Sequence, residues 1–139
     1  NRHPGDPRSA SHALIPGLDK ALTALIGDLS DRGMLDETLV LVMTDFGRTP
    51  KINSTGGRDH WPNCFSVAMA GGGVKGGQVV GASDPLGEFV KDRPITPGDL
   101  SSTIYTLLGI DPGHQLHTPD GRPIRIAPQE SKVIKELLA

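Results

Sequence analysis

Thr38-Leu39-Val40-Leu41-Val42-Met43-Thr44 is a continuous apolar, β-branched run bounded by polar residues. It is short for a helix and does not alternate, so it predicts a strand buried on both faces, as in a parallel sheet. Upstream, Ile15, Leu18, Leu22, Leu25, Ile26 and Leu29 recur every three or four residues, which predicts a helix over about 15–32. Pro16 suits its first turn and Gly33 its C-terminal stop. Downstream, a long loop over 46–64 leads to a second predicted strand, Phe65-Ser66-Val67-Ala68-Met69-Ala70. A glycine turn over 71–77 and a short strand at 78–81 follow. Thr96-Pro97-Gly98-Asp99 opens a second helix, with Thr96 as N-cap, Pro97 at N1 and Asp99 at N3. Leu100, Ile104, Leu107 and Leu108 form its apolar stripe, and Gly109 ends it. The tail over 111–128 is loop-like, with a short strand at 124–126, and 130–138 suits a last short helix. Helix, buried strand, loop, strand, helix predicts an α/β sandwich with a mostly parallel sheet.

The chain of 139 residues carries 14 Lys and Arg against 16 Asp and Glu, a formal charge of −2. No cationic surplus exists to gather phosphates, which excludes electrostatically driven nucleic-acid binding. No apolar stretch approaches the roughly 20 residues that span a bilayer. The single cysteine, Cys64, excludes an intramolecular disulfide and a cysteine-based zinc cluster; its expected role is filling space. The 18 Gly and 12 Pro are scattered among apolar runs, so the chain reads as loop-rich and globular, with one domain at most. Residues 1–13 are polar and Pro-rich and read as a loop or linker. With no initiator Met, the chain reads as a piece of a longer polypeptide.

Ligands of parallel sheets sit beyond the carboxyl ends of strands, which directs attention to Thr44-Asp45-Phe46-Gly47-Arg48-Thr49-Pro50-Lys51. Asp45 stands at the tip of the predicted strand, and a carboxylate there needs a cation, a metal or several N–H donors. Gly47 lets the backbone turn, while Arg48 and Lys51 offer positive charge to an oxyanion. Further on, Gly56-Gly57-Arg58-Asp59-His60-Trp61-Pro62 places Asp59 and His60 in one loop, and an imidazole beside carboxylates suits a hard or borderline cation. The alternatives at these positions are a capped turn with an Asp45–Arg48 pair, and a surface loop whose His60 packs on Trp61. His3, His12, His114 and His117 read as solvated. Gly71-Gly72-Gly73-Val74-Lys75-Gly76 fits G-x-G-x-x-G formally, but no helix opens after it, so it reads as a turn with several positive-φ positions.

These blocks carry a resemblance. Residues 35–50, with Phe46-Gly47-Arg48-Thr49-Pro50, the segment Gly57-Arg58-Asp59-His60-Trp61-Pro62, the turn over 70–77 and Asp92-Arg93-Pro94-Ile95-Thr96-Pro97-Gly98-Asp99-Leu100 resemble the carboxy-terminal part of the DUF1501 family, over about residues 14–139. The resemblance extends to the alkaline phosphatase and sulfatase superfamily, through Asp36-Glu37-Thr38-Leu39-Val40 before Thr44-Asp45-Phe46-Gly47 and through Asp99-Leu100 before Gly109-Ile110. It implies an alkaline-phosphatase-like three-layer sandwich with a mostly parallel sheet, of which this chain is the C-terminal portion.

By that resemblance Asp45 and His60 are metal ligands, with Asp59 a third ligand or a group orienting His60. Arg48 and Lys51 bind substrate oxyanions or organise the loop, and Arg58 binds substrate. Phe46 stands where the sulfatase-like enzymes have a histidine ligand. The implied cofactor is a divalent metal (zinc, calcium or magnesium), and the implied substrate is a small-molecule or glycan sulfate or phosphate ester. The nucleophile of that superfamily lies nearer the amino terminus, so no catalytic residue is expected in this stretch. The implied activity is metal-dependent hydrolysis of such esters. The alternative is a non-catalytic exported binding protein with a degenerate metal site. A periplasmic or secreted location is the family expectation.

Overall fold

A computed structural model describes residues 10–139, with side chains described from residue 14. The element order begins with α1 (Ala10–Asp31), a 3-10 turn (Leu35–Glu37), β1 (Val40–Val42), β2 (Gly47–Arg48), β3 (His60–Trp61) and β4 (Ala68–Ala70). It continues with β5 (Ala82–Ser83), β6 (Val90–Asp92), α2 (Pro97–Leu107), β7 (Gln115–His117), β8 (Pro123–Arg125) and a closing 3-10 turn (Lys135–Leu137). The strands form four separate two-stranded sheets, β1 with β4, β2 with β3, β5 with β6 and β7 with β8, and each pair is antiparallel.

This overturns the expected three-layer sandwich with a mostly parallel sheet. The run over 38–44 does become a strand, but only Val40–Val42 pairs, and its partner β4 runs the other way: Val40 faces Ala70 and Val42 faces Ala68. Its residues are half-buried, so it is not a doubly covered strand. The reason lies between the two strands. Parallel strands need a crossover, usually a helix. Residues 43–67 hold no helix, only the β2–β3 ribbon and its loop, so the chain returns beside β1 in the opposite direction. The predicted strand at 78–81 is also absent: Val79 is 91% exposed, and extended pairing starts at Ala82.

Helix α1 starts at Ala10, earlier than the apolar periodicity suggests, so Pro16 lies inside the helix and not in its first turn. The portion of the predicted linker at 1–9 lies outside the described residues. The C-terminal end agrees with the reading: Gly33 adopts φ +68, the Met34 N–H returns to the Leu29 carbonyl at 2.8 Å, and Leu29 is buried. The rest of the apolar stripe is less covered. Leu22 and Ile26 are half-buried, and Ile15, Leu18 and Leu25 are exposed.

Helix α2 starts as its sequence dictates. The Asp99 N–H donates to the Thr96 hydroxyl at 3.1 Å and the Thr96 N–H donates to the Asp99 carboxylate at 2.9 Å, a reciprocal capping box with Pro97 at N1. The other Asp99 oxygen accepts the Lys132 N–H at 2.7 Å, which clips the C-terminal segment onto the helix start. Burial raises the Asp99 carboxyl pKa, but the N–H groups of Lys132 and Thr96 outweigh it and hold the carboxyl below its usual value. The buried face of α2 is not its leucine stripe. Leu100, Ile104 and Leu107 are half-buried and Leu108 is exposed, whereas Ser102 and Thr103 are buried. The Thr103 hydroxyl donates to the Asp99 carbonyl at 2.7 Å and accepts the Ile134 N–H at 2.9 Å, and the Ser102 and Ser131 hydroxyls lie 2.7 Å apart. Ile134 and Ala127 complete this small core.

The glycine turn has the positive-φ residues expected of it, at Gly71, Gly72, Gly73 and Gly77. At Gly71 a side chain is doubly excluded, because a Cβ would sit 2.3 Å from the Thr38 carbonyl oxygen. The chain end then runs beside this turn: Val74 bridges to Leu138, and the Ala139 N–H donates to the Gly73 carbonyl at 3.1 Å. No helix of the described residues is long and apolar enough to cross a membrane.

Candidate functional site

The segment after β1 is built around the β2–β3 ribbon, in which Gly47 faces Trp61 and Arg48 faces His60. Gly47 does not make the turn that its place after Asp45 suggested. It lies in the extended ribbon, and a Cβ there would sit 2.2 Å from the Cys64 carbonyl oxygen, so the requirement is close approach of two backbones. The ladder continues past the strands, with the Thr49 N–H donating to the Asp59 carbonyl at 3.0 Å and the Asp59 N–H to the Thr49 hydroxyl at 3.1 Å.

His60 packs on Phe46, not on Trp61. The Phe46 and His60 rings stack with centroids 3.8 Å apart and planes 21° from parallel. The Arg48 guanidinium carbon lies 5.7 Å from the centroid of the Phe46 ring, and Arg48 Nη1 donates to the Arg58 carbonyl at 3.3 Å. Trp61 turns elsewhere: its Nε1 donates to the Glu88 carbonyl at 2.6 Å and its ring meets Phe89 edge-on at 5.8 Å. Phe46 therefore supplies a ring that packs on the imidazole.

Arg58 is a loop clamp. Its Nη1 donates to the Thr49 carbonyl at 2.6 Å and also to the Pro50 carbonyl. Asn53 is the second organiser. Its side-chain oxygen accepts from the Gly57 N–H at 2.9 Å, the Thr55 N–H at 3.1 Å and the Thr55 hydroxyl at 2.8 Å. Its amide donates to Asp59 Oδ1 at 2.8 Å. An asparagine followed by Ser-Thr-Gly-Gly is a turn signal, whereas its bond to Asp59 is set by the folded loop.

Asp59 belongs to a cleft of about 490 Å³ that it lines with Thr49, Lys51, Ile52, Asn53 and Ser54. His60, the next residue, does not line that cleft, as expected when successive residues of an extended chain point to opposite sides. Asp45 is exposed after β1 and has no hydrogen-bond or ion-pair partner among the described residues. Thus the structure brings Lys51 and Asp59 to one cleft and Arg48 to His60. It does not gather Asp45, Asp59 and His60 as co-ligands, because the described residues hold no group of three or more His, Cys, Asp or Glu side chains able to bind a metal ion. A closed structural zinc site takes four ligands, and the described residues do not supply such a cluster by themselves. His114 and His117 are exposed, as expected. His3 and His12 fall outside the residues whose side chains are described.

Neither comparison with curated proteins nor comparison with solved structures returned a match. The model of a family described as a protein of unknown function (DUF1501) matches residues 3–138, nearly the whole chain, so the chain belongs to the DUF1501 family.

Proposed function

We propose that the chain recognises a sulfate or phosphate ester carried on a polyhydroxylated ligand such as a glycan, at the cleft lined by Thr49, Lys51, Asn53, Ser54 and Asp59. The observation that supports this reading is the mixture of groups on one wall. The Ser54 hydroxyl and the Asp59 carboxylate suit the donors and acceptors of a sugar, the Thr49 hydroxyl and Asn53 amide being engaged within the loop, and one ammonium without a carboxylate partner among the described residues suits the anionic ester. The Asn53 hub fixes Asp59, so the carboxylate is positioned before a ligand arrives. The resemblance of residues 36–47 and 99–110 to sulfatase-like enzymes supports the ester chemistry.

Calorimetric titration with glucose 6-sulfate and glucose 6-phosphate tests this, with Lys51→Ala and Asp59→Asn beside the wild type. Loss of one charge-assisted contact is expected to weaken binding about tenfold, the equivalent of about 1.4 kcal/mol. Undiminished affinity in Lys51→Ala would refute the assignment.

Hydrolysis of the bound ester is the second reading. It is favoured by Asp45, which is exposed and without a described partner one residue before the ring that packs on His60. Release of p-nitrophenol from its sulfate or phosphate ester, lost in Asp45→Ala and His60→Ala, distinguishes a hydrolase from a binding protein.

A further inference from the structure

The C-terminal clip borders a separate cleft of about 640 Å³, lined by Arg93, Lys132, Val133, Lys135 and Glu136. Three of these five residues are cationic and one is anionic, in a chain whose formal charge is −2. The single carboxylate of the lining is already committed, and of the two aspartates outside the lining that act on Arg93, Asp92 and Asp99, Asp99 is engaged by the Lys132 and Thr96 N–H groups. Arg93 grips Glu136 with two parallel bonds, Nε to Oε1 at 2.7 Å and Nη2 to Oε2 at 2.9 Å, so each carboxylate oxygen has a donor. Those bonds hold the Glu136 carboxyl down to about 2, and it stays ionised and paired throughout the neutral range. The Lys132 and Lys135 ammonium groups have no carboxylate partner among the described residues.

The walls of this cleft are held in place. The Lys132 N–H is clipped to Asp99 at 2.7 Å, and the Gln78 amide donates to the Glu136 carbonyl. Arg93 is also the one non-glycine residue with positive φ among the described residues, at +47. Side chains rarely adopt that conformation, and where it persists the surroundings impose it. Here a Cβ on Gly81 would approach the Arg93 carbonyl oxygen to 3.0 Å, so the bare glycine lets the Arg93 backbone lie close. The Arg93 guanidinium uses two of its five N–H groups on Glu136. The lining of the cleft thus combines a surplus of two positive charges, spare guanidinium donors and a braced backbone.

We propose that this cleft is a second anion site, binding a doubly charged tetrahedral oxyanion, phosphate or sulfate, on the ammonium groups of Lys132 and Lys135 with the Arg93 guanidinium beside them. It is independent of the loop cleft at Lys51, and one set of variants separates the two. Inorganic phosphate is titrated into the chain calorimetrically at fixed ionic strength, with Lys51→Ala as background. Saturable binding is expected, weakened at least tenfold in Lys132→Gln/Lys135→Gln. Both positions are exposed, and glutamine keeps the reach of the side chain without its charge; an unchanged far-UV circular dichroism spectrum verifies the fold. A parallel titration with glucose 6-phosphate assigns the source of the anion: tighter binding than inorganic phosphate marks an ester site, and weaker binding marks a free-ion site. Absence of saturable binding in the Lys51→Ala background, or equal affinity in the double glutamine variant, would overturn the proposal.

Discussion

Helices α1 and α2 carry the same kind of apolar periodicity and meet different fates. In α1 the stripe is real and mostly uncovered: Leu18 is 55% exposed, and only Leu29 at the far end is buried. In α2 the leucine stripe is half-covered, and the side chains that disappear from solvent are hydroxyls, Ser102 and Thr103. The Thr103 hydroxyl satisfies itself on the Asp99 carbonyl four residues earlier and still accepts the Ile134 N–H, while the Ser102 hydroxyl pairs with that of Ser131. The C-terminal strap can therefore lie flat on α2 with no buried side-chain polar atom left unsatisfied among the described residues. Hydrophobic spacing identifies a helix. What covers that helix is decided by segments far away in the sequence.

The contrast predicts a gradient of mutational cost. The largest effect is expected at Ile134, which is 1% exposed against α2. Ile134→Ala should destabilise the chain by about 3 kcal/mol in urea unfolding, from lost transfer energy and the cavity left behind; a cost below about 1 kcal/mol would mean that the strap carries little of the stability. Asp99→Ala removes half the capping box and the clip to Lys132, and should cost about 1–2 kcal/mol at neutral pH. Because the folded Asp99 pKa is depressed, its contribution is full above the unfolded carboxylate pKa and fades as pH falls through the folded value. The difference between wild type and Asp99→Ala should therefore shrink in acid, and a pH-independent difference would point to lost packing instead. The smallest effect is expected at Leu18, where replacement by Ala should change stability by less than about 0.5 kcal/mol. A larger loss there would show that the α1 stripe is covered in solution, and would erase the distinction between the two helices.

Local features were the most readable. Thr96, Pro97 and Asp99 announce the start of α2 because the capping box closes over four residues and needs nothing else. Gly33 and the run Gly71-Gly72-Gly73 announce the chain reversals for the same reason, since a positive φ is a property of one residue. The strand over 38–44 was recognised, but its direction was misjudged. The apolar run fits a buried parallel strand, while the missing crossover helix in 43–67, itself visible as an absence of helical spacing, dictates antiparallel return. At the candidate site, Lys51 and Asp59 were singled out from charge and position and do share a cleft. Arg58, a candidate oxyanion contact by resemblance, ties the loop to the Thr49 and Pro50 carbonyls. Asn53 was missed, because its importance lies in four simultaneous hydrogen bonds that only the folded loop brings together.

By itself the sequence determined membership of the DUF1501 family, the two helices, the capping box and the glycine turn. Each of these depends on residues close along the chain, where one cap or one φ angle is enough. Only the tertiary structure decided that β1 pairs antiparallel with β4, that α2 buries its hydroxyls, that Phe46 stacks on His60, and that Asp59 and His60 part company. Those outcomes depend on which distant segments arrive, and so on backbone partners and solvent exclusion that no local spacing of residues encodes.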